Sequence, residues 1–98
     1  MNWILIREKY PKAYKEGQDW WVAHAEIYEP AFLFNIGNRF LYDFFDEQGI
    51  YIGTGYYADP PTYYFCSINN SFCGSGATRT EAEEQAFIKA FEILEDKL

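Results

Sequence analysis

The chain has 98 residues, is 49% hydrophobic and carries a formal net charge of −7, a composition that fits one folded domain and excludes a disordered chain. Because non-specific affinity for nucleic acid comes from Lys and Arg, this charge excludes a general binder of phosphate backbones and favours basic or neutral partner surfaces. The sequence has no window of roughly 18 consecutive apolar residues and its start, "MNWILIREKY", lacks the apolar stretch of a secretion signal, so we expect an intracellular, soluble protein, in the producing cell or in a host.

The first 38 residues predict a broken helical segment. Trp3 and Tyr10 have helical spacing, Pro11 opens a second helical turn, and Gly17 is the expected stop. Asp19 is then the expected N-cap of a further helix, which should end before the proline of "YEP". The segment holds all three tryptophans of the chain, which favours packing against the rest of the domain.

Residues 39–98 predict the order helix, three strands, helix. Asn38 is the expected cap of "RFLYDFFDEQ" and Gly49 its expected end. The apolar stripe of that helix comprises Phe40, Leu41, Phe44 and Phe45. The strands are "IYIGTGYY", "TYYFCSI" and "SFCGSGA". Thr80 and Glu83 predict a capping box at the start of the last helix.

These elements predict a single α+β domain, in which residues 39–98 form a three-stranded antiparallel sheet with two helices on one face and residues 1–38 add an N-terminal helical segment. The middle strand is apolar on both faces, so both faces should be covered. The two helices can cover one, and the Trp-rich first 35 residues are the expected cover for the other. If those residues pack elsewhere, the second face becomes a binding or dimerisation surface.

The stretch "GSGATRTEAEEQAFIKAFEIL", after a helix and three strands, resembles the double-stranded RNA-binding domain over about residues 39–98. The resemblance implies the αβββα fold. In that family a lysine cluster at the start of the last helix grips phosphates, whereas this sequence has Glu81, Glu83 and Glu84 there and only Arg79 as a base nearby. The resemblance therefore supports the fold but not direct RNA binding. The tail from "TRTEA" to "LEDKL" is also similar to small proteins of gut Bacteroides-type bacteria and their phages, which implies a phage or mobile-element origin.

Three other motifs do not predict a cofactor, a metal or catalysis. "GTGYYA" matches a dinucleotide-binding pattern, but the Asp-Pro-Pro that follows forbids the helix this site needs. "GSGATR" offers backbone donors to an anion, yet acidic residues already fill the first helical turn. His24 is the single histidine, and with Cys66 and Cys73 it has no recognised zinc spacing. We expect a protein that is not an enzyme.

The two cysteines flank a predicted two-residue turn at Asn69-Asn70. This turn would place Cys66 directly opposite Cys73, because asparagine tolerates the positive φ angles that such turns require. Without a secretion signal, reduced thiols and a disulfide both remain open.

Two groups of residues are candidates for a binding site. Tyrosines flank the Asp-Pro-Pro turn, and they suit a covered sheet, a protein interface or contact with nucleobases. Four acidic residues lie in a region, 40–78, without Lys or Arg, and they suit a solvated helix face or a patch that meets a basic surface or imitates a run of phosphates. The candidates are Tyr56, Tyr57, Tyr63, Tyr64, Asp43, Asp46, Glu47 and Asp59.

Together they predict a non-catalytic module that binds a protein partner. The first alternative is an acidic nucleic-acid mimic that inhibits a nuclease or another nucleic-acid-binding protein. The second is direct binding of double-stranded RNA, which rests on the resemblance alone.

Overall fold

The computed structural model describes residues 2–24, 39–58 and 60–98, with residue 39 described for its backbone only. The elements are helices α1 (Trp3–Lys9), α2 (Pro11–Ala23), α3 (Arg39–Glu47) and α4 (Arg79–Lys97), and strands β1 (Ile52–Tyr57), β2 (Tyr63–Ile68) and β3 (Ser71–Gly76). This α+β order confirms the predicted fold class. The predicted cap at Asn38 and helix end before "YEP" lie outside the described residues. No helix within the described ranges is long and apolar enough to cross a membrane.

The three strands form one antiparallel sheet in the order β1-β2-β3. Asn69 and Asn70 have φ angles of 51° and 69°, as the predicted two-residue turn requires. Ile68 pairs with Ser71 as expected, but a bulge then shifts the register. Cys66 therefore pairs with Gly74 and not with Cys73, so the predicted cysteine register is wrong by one residue.

Helices α3 and α4 cover one face of the sheet, which holds the core. The four apolar residues of the predicted α3 stripe are all buried, and Gly49 ends the helix with a φ of 77°. The ring of Phe45 meets Phe91 of α4 edge-on, with centroids 4.9 Å apart. Burial of each such side chain stabilises the fold by about 1.5–3 kcal/mol, so this layer is the main source of stability. Other buried members are Ile50, Ile68, Phe87, Ala90 and Leu94.

Helix α2 continues through Gly17, so the predicted stop there and the N-cap at Asp19 are both wrong. Ala13 and Gly17 are buried one turn apart on the same side of α2. The backbone N–H of Ala13 donates a hydrogen bond of 2.8 Å to the Glu95 carboxylate of α4. Small residues allow this close approach, which offsets the roughly 1 kcal/mol that glycine costs inside a helix. Asp19 forms an exposed ion pair with Lys15 on the surface of α2.

The first two helices pack against the helical layer and not against the second face of the sheet. Trp3 of α1 meets Phe91 edge-on, with ring centroids 5.9 Å apart. Trp20 of α2 lies 5.5 Å from Phe40 and 5.9 Å from Phe44 between ring centroids. For residues 2–24, the expectation that the N-terminal segment covers the second face is therefore wrong. The tryptophans of α1 and α2 instead complete the aromatic core around Phe40, Phe44 and Phe91.

Helix α4 begins two residues earlier than predicted. Thr78 is the N-cap, and its hydroxyl accepts a 3.2 Å hydrogen bond from the Glu81 N–H. The Glu81 carboxylate in turn accepts one of 2.9 Å from the Ala77 N–H. The capping box predicted for Thr80 and Glu83 is therefore wrong. Because the helix starts at Arg79, Glu83 lies on the buried side of α4.

Glu83 is 7% exposed and accepts a 3.1 Å hydrogen bond from the Tyr42 hydroxyl of α3. Burial, and then the Glu83 carboxylate, raise the pKa of Tyr42 to about 12. Glu83 therefore serves a buried hydrogen bond between α3 and α4, and it does not join the acidic surface expected at the start of α4.

Candidate interaction face

The four candidate tyrosines form two separate pairs on opposite faces of the sheet. Tyr56 lies across from Tyr64 with ring centroids 4.9 Å apart. Tyr57 stacks on Tyr63 with centroids 5.2 Å apart and an angle of 23° between the rings. Consecutive strand residues point to opposite faces, so the predicted tyrosine cluster is divided between a helix-covered face and a second face.

The Tyr56–Tyr64 pair belongs to the face that α4 covers. Tyr64 packs against a small cluster formed by Cys66 of β2 and two alanines of α4. Tyr56 lies at the margin of this layer with 55% of its surface exposed. Tyr64 therefore packs mainly as part of the core.

The second face of the sheet is lined by Tyr57, Tyr63, Phe65, Ser67, Phe72 and Ser75, with Gly53 and Gly55 between them; we call it the open face. Every residue of the open face is uncharged. Tyr57 is 48% exposed and Phe72 is 70% exposed. The rings of Tyr57 and Phe72 thus meet solvent on a face without charged side chains, whereas Tyr63 and Phe65 are half-buried.

Glycines in β1 make the open face flat. The ring of Phe65 lies over Gly55, its cross-strand neighbour, so closely that a methyl group at Gly55 would collide with three ring carbons. Gly53 similarly leaves room for Ser67, whose hydroxyl would lie 3.0 Å from an added methyl. Strand alternation is enough to put Phe65 on the same face as Tyr63, but no sequence pattern indicates that its ring would lie over Gly55.

Three of the four acidic candidates lie on α3. Asp43 is partly buried, whereas Asp46 and Glu47 are exposed. The Glu47 carboxylate accepts a hydrogen bond from the indole N–H of Trp20 in α2. One predicted acidic residue therefore helps to hold α2 against α3, and Asp59 lies outside the described residues.

The end of α3 meets the opposite end of the sheet from the tyrosine pairs. The Asn69 side chain accepts a 2.9 Å hydrogen bond from the Tyr51 N–H and donates one of 3.4 Å to the Gly49 carbonyl. This links the residues just after α3 to the β2–β3 turn, whereas the tyrosine pairs flank the β1–β2 connection. The predicted site thus separates into the tyrosine pairs at one end of the sheet and, toward the other end, Asp46 and Glu47 at the end of α3.

The candidate metal ligands and the "GTGYYA" motif can be located in the structure. Within residues 2–24, 39–58 and 60–98, no group of three His, Cys, Asp or Glu side chains could hold a metal ion. The ring of His24 stacks on Trp20 with centroids 3.9 Å apart, and its Nδ1 lies 2.8 Å from the Trp20 carbonyl oxygen. Gly53 and Gly55 of the "GTGYYA" motif lie inside β1, where a dinucleotide loop would need a turn into a helix.

Comparisons with known proteins do not assign the chain to a family. No protein-family model, no curated protein and no solved structure matches it. Its function must therefore be inferred from the geometry of its own surface.

Proposed function

We propose that this protein is a non-catalytic binding module that contacts a protein partner through the open face. The observation that carries the proposal is an uncharged aromatic sheet face whose Tyr57 and Phe72 rings are largely exposed. Tyrosine and phenylalanine are enriched at protein interfaces, where a few large rings supply most of the binding free energy. If these rings belonged to the core, another element would have to pack over them, whereas α1 and α2 pack on the helical layer.

The size of the open face indicates the centre of an interface. Three six-residue strands present about 300 Å², from a length of about 20 Å and a width of about 15 Å. A stable interface buries about 800 Å² on each partner. The remaining contact should come from a rim, and because the chain carries a net charge of −7, the partner should surround its apolar centre with neutral or basic residues.

Contact through the face is better supported than pairing at the β3 edge. The Gln85 side chain of α4 accepts a 3.1 Å hydrogen bond from the Ser75 N–H and donates one of 2.6 Å to the Ser75 carbonyl. A partner strand that added to this edge would have to displace both hydrogen bonds. The open face requires no such rearrangement.

The alternative of a nucleic-acid mimic has weaker support. A mimic needs freely presented acidic groups, but Glu83 is buried, and the Glu47 and Glu81 carboxylates accept hydrogen bonds from within the chain. Direct nucleobase stacking would use the same rings as a protein interface. It normally relies on neighbouring Lys or Arg, and residues 40–78 contain neither.

The decisive experiment compares two adjacent tyrosines of similar exposure on opposite faces. Wild type, Tyr57→Ser and Tyr56→Ser would each be immobilised as the full chain and incubated with lysate of the producing cell or its host, and retained proteins quantified by mass spectrometry. We expect one partner that wild type and Tyr56→Ser retain and that Tyr57→Ser retains at least tenfold less, since tenfold in affinity corresponds to about 1.4 kcal/mol, a typical effect for an interface aromatic. Phe72→Ser should reproduce the loss.

The proposal would be contradicted if no protein depended on Tyr57 and Phe72, or if Tyr56→Ser weakened retention as strongly. Circular dichroism of each variant controls for folding. A low-salt gel shift with single-stranded and duplex RNA completes the test, because binding that Tyr57→Ser abolishes would assign the open face to nucleobases instead.

A further inference from the structure

We propose that Cys66 and Cys73 are a redox-active thiol pair, which forms a reversible disulfide between β2 and β3 when peroxide or a small-molecule disulfide reaches Cys73. The two sulfur atoms lie 2.6 Å apart in the structure, in which both cysteines are free thiols. A disulfide bond needs a separation of about 2.05 Å. The two sulfur atoms are therefore about half an ångström from bonding distance.

The contact between the two sulfurs persists although a β-bulge removes the direct pairing of the two residues. The register shifts between Cys66 and Ser67, so that Gly74 pairs with Cys66 and Cys73 becomes the extra residue of β3. Cys73 still packs against the cluster of Cys66, Ala82 and Ala86 on the helix-covered face. The bulge thus frees Cys73 from strict pairing while its sulfur stays beside Cys66.

Unequal burial assigns different roles to the two thiols. Cys66 has no exposed surface, whereas Cys73 is only partly buried and lies on the edge strand. A dissolved oxidant therefore meets Cys73 first. Burial, and then the neighbouring Cys73, raise the pKa of Cys66, which keeps that thiol protonated. Cys73 is accordingly the entry thiol and Cys66 the resolving thiol.

With hydrogen peroxide the chemistry has two steps. The Cys73 thiolate attacks one peroxide oxygen, the O–O bond breaks, and the departing hydroxide takes up a proton to become water, which leaves a sulfenic acid. The Cys66 sulfur then attacks the Cys73 sulfur, the S–O bond breaks, and the leaving hydroxide takes the Cys66 proton and departs as water. The two thiols lose two protons and two electrons, and peroxide is reduced to two waters.

The test uses the full chain, which contains only these two cysteines. After limited peroxide, intact-mass spectrometry should show the loss of two hydrogen atoms, and the product should resist a maleimide in denaturant until a reductant is added. Oxidised glutathione should give the same product: Cys73 displaces one glutathione thiol to form a mixed disulfide, and Cys66 then displaces the second. In the reduced native chain, Cys73 should react with the maleimide at least about tenfold faster than Cys66, as its exposure requires.

Two variants separate the roles. Cys66→Ala, which keeps a small apolar side chain beside Ala82 and Ala86, should stop at a sulfenic acid on Cys73 that dimedone traps. Cys73→Ala should leave Cys66 unmodified at peroxide doses that convert the wild type. If a variant fails to fold, peptide mapping of the labelled wild type still measures both reactivities.

The proposal is overturned by any of three results: covalent dimers as the main wild-type product at low protein concentration, accumulation of sulfinic acid on Cys73 with Cys66 still free, or equal labelling rates for the two thiols.

Discussion

Replacement of Gly55 by alanine tests the packing that makes the open face flat. The new methyl group would collide with three carbons of the Phe65 ring, which must then leave its position over β1. In an ordinary strand the same substitution stabilises a protein by about 0.5–1 kcal/mol, because glycine loses more conformational freedom on folding. Overpacking costs about 1–3 kcal/mol, and here the ring lies at a surface and can move, which favours the middle of that range.

The net expectation for Gly55→Ala is a loss of about 1 kcal/mol in the free energy of unfolding. For a chain of this size the urea dependence is about 1 kcal/mol per molar, so the midpoint of urea unfolding should fall by about 1 M. Gly53→Ala is the matched control on the same strand and face. Its methyl would lie 3.0 Å from the Ser67 hydroxyl, which can rotate away, so its effect should lie between zero and a gain of about 0.5 kcal/mol.

A double-mutant cycle with Phe65→Ala isolates the contact. Without the ring, Gly55→Ala should become neutral or stabilising, which gives a coupling free energy of about 1–2 kcal/mol. The reasoning is refuted if Gly55→Ala is as stable as wild type, or if it destabilises the Phe65→Ala background equally. Either result would mean that Phe65 does not lie over Gly55.

Three further predictions follow from the helices and the hairpin. Thr78→Ala should lower the free energy of unfolding by about 1 kcal/mol in urea, as loss of an N-cap does, whereas Thr80→Ala should change it by less than about 0.5 kcal/mol. The pKa of Tyr42 is about 12 in the folded protein, against 10.0 for an unperturbed tyrosine. The stabilisation from its hydrogen bond to Glu83 should therefore be complete below pH 10 and be lost as the pH rises to 12. Wild type should therefore lose of the order of 1 kcal/mol more than Tyr42→Phe across that range; a constant difference would contradict the assignment. Oxidation of the thiol pair should raise the free energy of unfolding by about 2 kcal/mol in wild type, and an unchanged midpoint would show that the disulfide adds strain of equal size.

The strands and α3 could be predicted because local chemistry determines them. The paired asparagines specify a turn with positive φ at both positions, and Gly49 ends α3 in the same left-handed region. The buried residues of α3 follow directly from their helical spacing. Each of these features depends on a few neighbouring residues, so no knowledge of the tertiary contacts was needed.

Predictions that depended on distant partners were wrong. Gly17 reads as a helix stop, but α2 continues because its small residues pack where the Ala13 N–H meets Glu95, which is 82 positions away in the chain. The pair Thr80 and Glu83 fits the capping pattern as well as Thr78 and Glu81 do. The choice between them depends on which register buries the apolar face of α4, and that register places Glu83 beside Tyr42.

The candidate binding site was predicted only in part, for a similar reason. Neighbouring tyrosines in the sequence suggested one cluster, yet strand alternation alone requires Tyr56 and Tyr57 to point to opposite faces. Which face stays open depends on where α1 and α2 pack, and the sequence expectation placed them on the sheet. Two of the four tyrosines thus belong to the proposed surface, and Phe65 and Phe72 replace the other two.

The open face also sets a scale for the proposed interaction. Covering about 300 Å² of largely apolar surface contributes at most about 7 kcal/mol from this protein's side, at about 25 cal/mol per Å². An equal area on the partner doubles that figure, but association costs about 4–15 kcal/mol in lost freedom. The face by itself therefore supports binding of modest affinity, and the burial of one ring contributes a large fraction of the net binding free energy. This is why a single change at Tyr57 should be decisive, whereas the same change at Tyr56, on the helix-covered side, should not.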